Sequence, residues 1–340
     1  MEQAMHSIIA LLADGKSLPR DTAVRAFQII MNGGGTPAQM AALLMALRIK
    51  GETVDEITAG AIAMRAKAQR INLPPGAMDT CGTGGDNRGT YNISTAVAFV
   101  LAACGIPVAK HGNRSISSKS GSADVLSLLG VKIDAEVPIL ERCLREANIC
   151  FLMATKFHPA MRHVAPIRQE LGIRTIFNVL GPLSNPGAPD YQLLGVYSEA
   201  LVEPLAHALK ELGAKAAWVV HGHDGLDELT LTGASKVAEL KDGAVRCFEV
   251  TPEEAGLKRV ILEDLKGGTP EHNASAMMDA LSGMENPYRN AILYNAAAGL
   301  IIAGKAADIK AGVAMAKDAI DSGKAHMTLR KLVEISNERA

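Results

Sequence analysis

At 340 residues the chain is long enough for one large domain or two of ordinary size. Its 48% hydrophobic and 21% charged residues fit a soluble globular protein. A formal net charge of −1 offers no overall basic field for nucleic acid, and there is no acidic tail.

Residues 1–70 read as helical. Ile8, Ile9, Leu11 and Leu12 form the apolar face of a first helix, and a second spans Asp21–Met31 and stops at Gly33-Gly34-Gly35. Thr36-Pro37 supplies an N-cap and a proline at the first helical position. Thr53-Val54-Asp55-Glu56 is a capping box for a fourth helix reaching about Gln69. The start MEQAMHSIIALLADGK lacks the pattern of a secretory signal, and no uncharged run is long enough to span a bilayer. Small apolar residues on several faces of the third and fourth helices predict burial on more than one side. Core packing and a subunit interface account for this equally well, and a homodimer contact is expected here.

Ile71-Asn72-Leu73-Pro74-Pro75-Gly76 is a linker, because its prolines cannot continue a helix. Beyond it, short apolar strands alternate with helices, which predicts an α/β unit with a central, mostly parallel sheet flanked by helices. The expected strands are Met78–Cys81, Pro107–Ala109, Ile149–Met153, Leu193–Tyr197 and Ala216–His221, with a β segment from Glu228 to Glu249. From Thr269 onward the pattern is helical. The cysteines Cys81, Cys104, Cys143, Cys150 and Cys247 show neither CxxC nor Cys/His metal spacing and suit a reducing cytosol.

Two loops at successive strand–helix junctions carry the chemistry. The first is Gly82-Thr83-Gly84-Gly85-Asp86, running into Asn92-Ile93-Ser94-Thr95 and a helix over Ala96–Cys104. Glycines let backbone N–H groups approach an anion, and a helix start adds free N–H groups and a positive dipole end. The second is Lys110-His111-Gly112-Asn113-Arg114-Ser115-Ile116-Ser117-Ser118, closing at Gly121-Ser122 before a helical run Ala123–Leu129. Arg88, Lys110, Arg114 and Lys119 add positive charge. Either loop alone reads as an ordinary turn; the two together predict a phosphorylated ligand. The first loop is neither a Walker A loop nor the dinucleotide fingerprint.

HPAMRHVAPIRQELG, from His158, reads as a helix, and RTIFNVLGPLSNPG after it as a loop rich in Gly, Pro and Asn. The pair is either a surface element or a lid over the phosphate loops. His221-Gly222-His223-Asp224-Gly225-Leu226-Asp227-Glu228 follows the strand AAWVV, at the strand end where open α/β sheets place ligands. Adjacent Asp227 and Glu228 suit magnesium, which takes oxygen ligands and keeps waters. A His-rich zinc site and a plain acidic turn are the competing readings.

GTGGD, NIST, KHGNRS, RTIFN, LGPL and DGLDE, in this order, resemble the anthranilate phosphoribosyltransferases of tryptophan biosynthesis. The likeness covers nearly the whole chain. It implies an enzyme that transfers phosphoribose from 5-phosphoribosyl 1-pyrophosphate to the amine of anthranilate and releases pyrophosphate. By the same resemblance the donor meets Gly82, Gly85, Asp86 and Thr90, then Asn92, Ile93, Ser94 and Thr95. In the second loop it meets Lys110, His111, Gly112, Asn113, Arg114 and Ser115, then Ser117, Ser118 and Ser122. Anthranilate would meet Gly82, His111, Asn113, His158, Arg168, Gly181 and Pro182. Ser94, Asp227 and Glu228 would hold Mg2+, and no catalytic nucleophile or base is implied.

The likeness also implies a helical domain of residues 1–70 joined by about 159–186. The donor-binding α/β domain would then comprise 71–158 and 187–340. A cytoplasmic homodimer with no nucleic-acid or membrane partner is expected. Cys81, Asn87-Arg88 and Tyr91 depart slightly from the family pattern. The rival readings are a pyrimidine nucleoside phosphorylase, which would need no magnesium pair, and a non-enzymatic nucleic-acid-binding paralogue, which should carry a basic groove.

Overall fold

The computed structural model describes residues 2–115 and 120–338. The chain opens with helices α1 (Glu2–Ala13), α2 (Arg20–Met31), α3 (Pro37–Lys50) and α4 (Val54–Lys67). Thr36 caps α3 by accepting from the Gln39 N–H, with Pro37 at the first position. Thr53 and Glu56 form the reciprocal box at α4. The Glu56 carboxylate is fully buried and fully used: it accepts from the N–H groups of Thr53 (2.8 Å) and Leu18 (2.9 Å) and from Lys50 Nζ (2.9 Å). Such pairing offsets the cost of taking a charge out of water.

The chain then runs β1 (Met78–Gly82), α5 (Ile93–Ala103), β2 (Val108–Gly112), α6 (Ser122–Leu128), α7 (Val137–Ala147), β3 (Ile149–Met153), α8 (Ala154–Phe157), α9 (Ala165–Leu171) and α10 (Phe177–Leu183). It continues with β4 (Tyr191–Gly195), α11 (Val202–Glu211), β5 (Ala216–Gly222), β6 (Ser235–Lys241) and β7 (Ala244–Val250). The helices α12 (Pro270–Leu281), α13 (Pro287–Ile302), α14 (Ile309–Asp321) and α15 (Lys324–Ser336) complete it. All strands join one seven-stranded sheet in the order β3-β2-β1-β4-β5-β6-β7. The five strands from β3 to β5 are parallel, and β6 and β7 add an antiparallel hairpin. The mostly parallel sheet and the leading helices match the architecture expected from the sequence. No helix among the described residues is long and apolar enough to cross a membrane.

Strand alternation sorts the interior into two apolar cores. Leu193, Trp218, Val220 and Val237 face the core that holds α5, α6, α7 and α12 to α15. Their neighbours Leu194, Ala217, Val219 and Ala238 face a second core, shared with α11 and the leading helices. Ile167 of α9 and Phe177, Val179, Leu180 and Leu183 of α10 belong to this second core, beside Phe27 and Ile57. Gly60 of α4 makes that approach close: a Cβ there would sit 2.7 Å from the Leu180 side chain.

The structure departs from the expected elements in four places. β2 runs on to Gly112, so Lys110 and His111 lie in a strand and not in a loop. The stretch from His158 to Gly172 is not one helix: a 3₁₀ turn covers Pro159–His163 and α9 starts at Ala165. Pro166 causes the break, since it offers no N–H and its ring crowds the preceding turn. Conversely, Phe177–Leu183 is a helix and not a loop, with Pro182 tolerated in its last turn. Residues 228–234 form no strand; the hairpin begins at Ser235 and turns on Asp242-Gly243, both at positive φ (50° and 74°). Asp-Gly favours this two-residue turn.

Candidate active site

The strand order reverses between β1 and β4, and open α/β sheets leave a ligand crevice beyond the carboxyl ends of their strands at such a point. A cavity of about 240 Å3 lies there. Of the expected donor residues, Gly82, Gly85, Asp86, Thr90, Asn92, Ile93 and Ser94 line it from the first loop. Lys110, His111, Gly112, Asn113 and Ser122 line it from the end of β2 and the start of α6. Thr95 is buried behind the first turn of α5 and is not part of the wall. Arg114 and Ser115 are held by Asp124 of α6, through Arg114 Nη1 at 2.9 Å and the Ser115 N–H at 3.1 Å. Ser117 and Ser118 lie outside the described residues.

Asp227 and Glu228 also line the cavity, and the fold positions them tightly. Gly82 ends β1 and Gly195 ends β4, paired across the sheet. Asp227 lies over both: a Cβ on Gly195 would sit 1.5 Å from the Asp227 carbonyl oxygen, and one on Gly82 2.3 Å from its Oδ2. The Gly84 N–H donates to Asp227 Oδ2 (2.9 Å) and the Ser94 N–H to Glu228 Oε1 (3.1 Å). Asp224 builds the preceding turn, accepting from the Leu226 N–H and from the hydroxyls of Thr230 and Thr232 (2.8 and 2.7 Å). Asn295 of α13 clamps the next residue, accepting from the Leu229 N–H (2.9 Å) and donating to its carbonyl (3.0 Å).

Burial pushes both carboxyl groups well above the usual carboxylate range. Asp86 adds repulsion at Asp227, and Asp227 at Glu228. Asp86 Oδ2 is buried without a hydrogen-bond partner. The nearest buried cation, Lys110, donates Nζ to the Thr80 carbonyl and to Ser94 Oγ at 3.5 Å. One wall of the cavity therefore gathers two desolvated carboxyl groups whose charged forms are disfavoured unless a cation joins them. The imidazole of His221 is engaged elsewhere, its Nδ1 lying 2.7 Å from the Val196 carbonyl. Among the described residues no group of three or more His, Cys, Asp and Glu forms a closed metal cage.

On the other side, buried Asp79 of β1 ties three elements together. It accepts from the His111 N–H (3.1 Å) and from Asn185 Nδ2 (2.8 Å), while Asn185 also donates to the Ala109 carbonyl (2.8 Å). This fixes the turn after α10 against β1 and β2. Gly181 and Ser184 bring backbone groups to the His111 and His158 rings. The two rings meet edge-on at 5.1 Å. The Pro182 carbonyl is taken by Gln192 Nε2 at 2.8 Å. Arg168 does not reach the cavity; its guanidinium lies 5.7 Å from the Phe177 ring centre.

Burial, and the neighbouring His158, depress His111 to about 3, and burial depresses His158 to about 4. Both are neutral at neutral pH, and the Nε2 of each is buried without a partner. A depressed folded-state value means that the unfolded chain takes up protons first as the pH falls. Their stabilising contribution is complete above the ordinary value of 6.5 and drains away toward pH 4 and 3. His158→Gln is therefore expected to flatten the fall of Tm between pH 6.5 and 4. At about 1.4 kcal/mol per unit, the effect is on the order of 3 kcal/mol. Parallel Tm–pH curves for the two proteins would disprove the depressed value.

Sequence reasoning missed several residues that build this site. Asp79, a carboxylate inside an apolar strand, was a usable signal. Gly195 was not, because its reason is the distant Asp227. Arg174 opens the RTIFN motif, but no role was read for it; it donates to the Gly85 carbonyl and stacks over Tyr197 at 4.3 Å.

Comparison with known proteins agrees with this geometry. Residues 6–68 match the helical bundle domain of the glycosyl transferase family, and residues 74–326 match its a/b domain. The anthranilate phosphoribosyltransferase of Methylocella silvestris is 54% identical over 334 residues, 98% of this chain and 96% of that protein. That of Rhodospirillum rubrum is 56% identical over 328 residues, 96% and 94% of the two chains. The crystal structure of the Thermus thermophilus enzyme superposes with a TM-score of 0.92 at 43% identity, covering 97% of this chain and 99% of that one. The Saccharomyces cerevisiae enzyme in complex with PRPP and Mg superposes with a TM-score of 0.90 at 28% identity, over 99% and 98%. With both family domains matched in order and relatives more than half identical along nearly its full length, the chain belongs to the anthranilate phosphoribosyltransferase family.

Proposed function

We propose that this cavity binds 5-phosphoribosyl 1-pyrophosphate and that the enzyme transfers its phosphoribosyl group to the amine of anthranilate, releasing pyrophosphate. The observation that carries the reading is the pair of half-buried Asp227 and buried Glu228, packed over the ends of β1 and β4 and facing N–H-rich phosphate loops. Two adjacent desolvated carboxylates call for a cation. A partial carboxylate set suits Mg2+, which keeps waters and completes its shell with substrate phosphates. Ser94, Asp227 and Glu228 would hold it. Its charge would favour departure of the pyrophosphate.

The glycine loop N–H groups, Lys110 and the first turns of α5 and α6 bind and orient the donor phosphates. Neutral His111 and His158, with Asn113 and the Gly181-Pro182 backbone, form the acceptor side. An aromatic amine attacking an oxocarbenium-like carbon needs little help from a base, so no catalytic nucleophile or base is assigned. Loss of anthranilate fluorescence on adding the donor with Mg2+ tests the reading. No loss under these conditions would refute it.

Arg168 is assigned to the anthranilate carboxylate, which a guanidinium binds in bidentate fashion. It reaches that group when α9 approaches the cavity. We assign residues 159–186 to the same helical body as residues 1–70, because α9 and α10 share the core of α1 to α4. The remainder, 71–158 and 187–340, forms the donor-binding body. Arg168→Ala is expected to lower kcat/KM for anthranilate at least about tenfold, or about 1.4 kcal/mol; this is less than the roughly 2–5 kcal/mol typical of a lost buried charge partner, because water replaces part of the interaction. The donor KM should change little. Equal weakening toward both substrates would point to general closure and defeat the assignment.

The protein is further assigned as a cytoplasmic homodimer through its helical body, where Ile49 of α3 is 79% exposed in the single chain. A monomer in sedimentation velocity at micromolar concentration would rule that out.

A further inference from the structure

We propose that Asn273, in the first turn of α12, is a positioning residue for the phosphoribosyl donor, acting through Asn92 to set the two phosphate loops relative to each other. The inference rests on the donor-site reading above. Asn273 lines the cavity yet is 2% exposed. Its Oδ1 accepts from the Gly268 N–H at 2.7 Å, and its Nδ2 donates to Asn92 Oδ1 at 3.0 Å. Asn92 in turn donates Nδ2 to the Ser120 carbonyl at 3.3 Å, and its Oδ1 also accepts from Ser120 Oγ at 3.3 Å.

The relay therefore runs from a backbone N–H at Gly268 to a backbone carbonyl at Ser120. A backbone N–H only donates and a carbonyl only accepts, so both ends dictate the same orientation of both amides. No other arrangement satisfies all the bonds. Asn92 stands at the N-cap of α5, where an asparagine side chain ordinarily bonds its own helix, yet it makes no such bond. Its side chain is committed to the relay instead. The result joins the first loop, the second loop and α12 at the cavity wall.

The segment before α12 is strapped to the first loop over several residues. The Tyr91 N–H donates to the Leu265 carbonyl at 3.1 Å, and the Gly267 N–H to the Gly89 carbonyl at 2.9 Å. A Cβ on Gly267 would lie 2.8 Å from the Thr90 carbonyl oxygen, so the approach is close. Asn273 thus stands on a fixed support and transmits its position to Asn92.

Asn273→Asp tests this with almost no change of size. The carboxylate still accepts from Gly268, but its other oxygen then faces Asn92 Oδ1. Flipping the Asn92 amide relieves that clash only by turning its oxygen onto the Ser120 carbonyl, so one buried contact is lost either way. The Kd of the donor with Mg2+, measured by calorimetry, is expected to rise at least tenfold. The KM for anthranilate should stay within twofold and the ligand-free Tm within a few degrees. Combined with Asn92→Ala, the substitution should add nothing to the loss caused by Asn92→Ala alone. If Asn273→Asp fails to fold, Asn273→Ala carries the same expectations. Unchanged donor affinity, equal effects on both substrates, or fully additive losses would overturn the proposal. A wild-type protein that fails to bind the donor with Mg2+ would instead bring down the donor-site reading, and the proposal with it.

Discussion

Asp227→Asn combined with Glu228→Gln is expected to lower kcat/KM for the donor by at least about a hundredfold. It should also abolish the rise in Tm that Mg2+ and pyrophosphate give together. Without ligands, the Tm should stay level or increase. The reason lies in what the substitutions keep. Asn and Gln retain an oxygen for the Gly84 and Ser94 N–H groups, so the local scaffold survives. They remove two carboxyl groups whose ionised forms burial and mutual repulsion disfavour, which relieves the ligand-free protein. What disappears is the anchor for positive charge beside the leaving group, commonly worth several kcal/mol. At about 1.4 kcal/mol per tenfold, about 3 kcal/mol already gives the hundredfold loss. Normal turnover at low Mg2+ would refute the metal assignment. A large drop in ligand-free Tm would make the carboxylates structural.

Features whose causes are local were legible in the sequence. The caps at Thr36-Pro37 and Thr53–Glu56 depend on residues three apart, and both form as read. Alternation in Ala216–Val220 needs no distant partner either, and those residues sort onto opposite faces of the sheet. Features that depend on distant partners were not legible. Lys110 and His111 look like loop residues because they are polar. They sit inside β2 because the Thr80 carbonyl receives the ammonium and Asp79 receives the His111 N–H. Pro182 hid α10, whose burial against α4 outweighs the proline in its final turn. The same division holds in the site. Glycine and hydroxyl loops announce an anion site by composition. Asn273 acts through partners far along the chain, and nothing in its local sequence shows it.

Gly195→Ala should be as damaging as removing the carboxylates, and for a purely geometric reason. The added Cβ would lie 1.5 Å from the Asp227 carbonyl oxygen and 2.5 Å from its carbonyl carbon. Backbone atoms cannot rotate away, so either β4 shifts against β1 or the Asp227-Glu228 turn is displaced. β4 is held in register on both sides, by β1 and β5. The turn is the freer element, although Asn295 and Asp224 tie it down on either side. Ligand-free stability should therefore fall by about 1–3 kcal/mol, the usual cost of overpacking. Donor kcat/KM should fall at least about a hundredfold, as for the carboxylate pair, because a displacement of about 1 Å in a reacting site already costs that much. Gly213→Ala, in the turn between α11 and β5, is the control. Nothing lies within 4 Å of a Cβ there, but its φ of +87° disfavours any side chain. It should cost about 1–2 kcal/mol of stability and leave Asp227 in place. If Gly195→Ala and Gly213→Ala cost the same activity, the position of Asp227 is not what Gly195 protects. If Gly195→Ala kept donor turnover near wild type, the turn would be free to move without harm, and this cavity could not be the one that binds the donor.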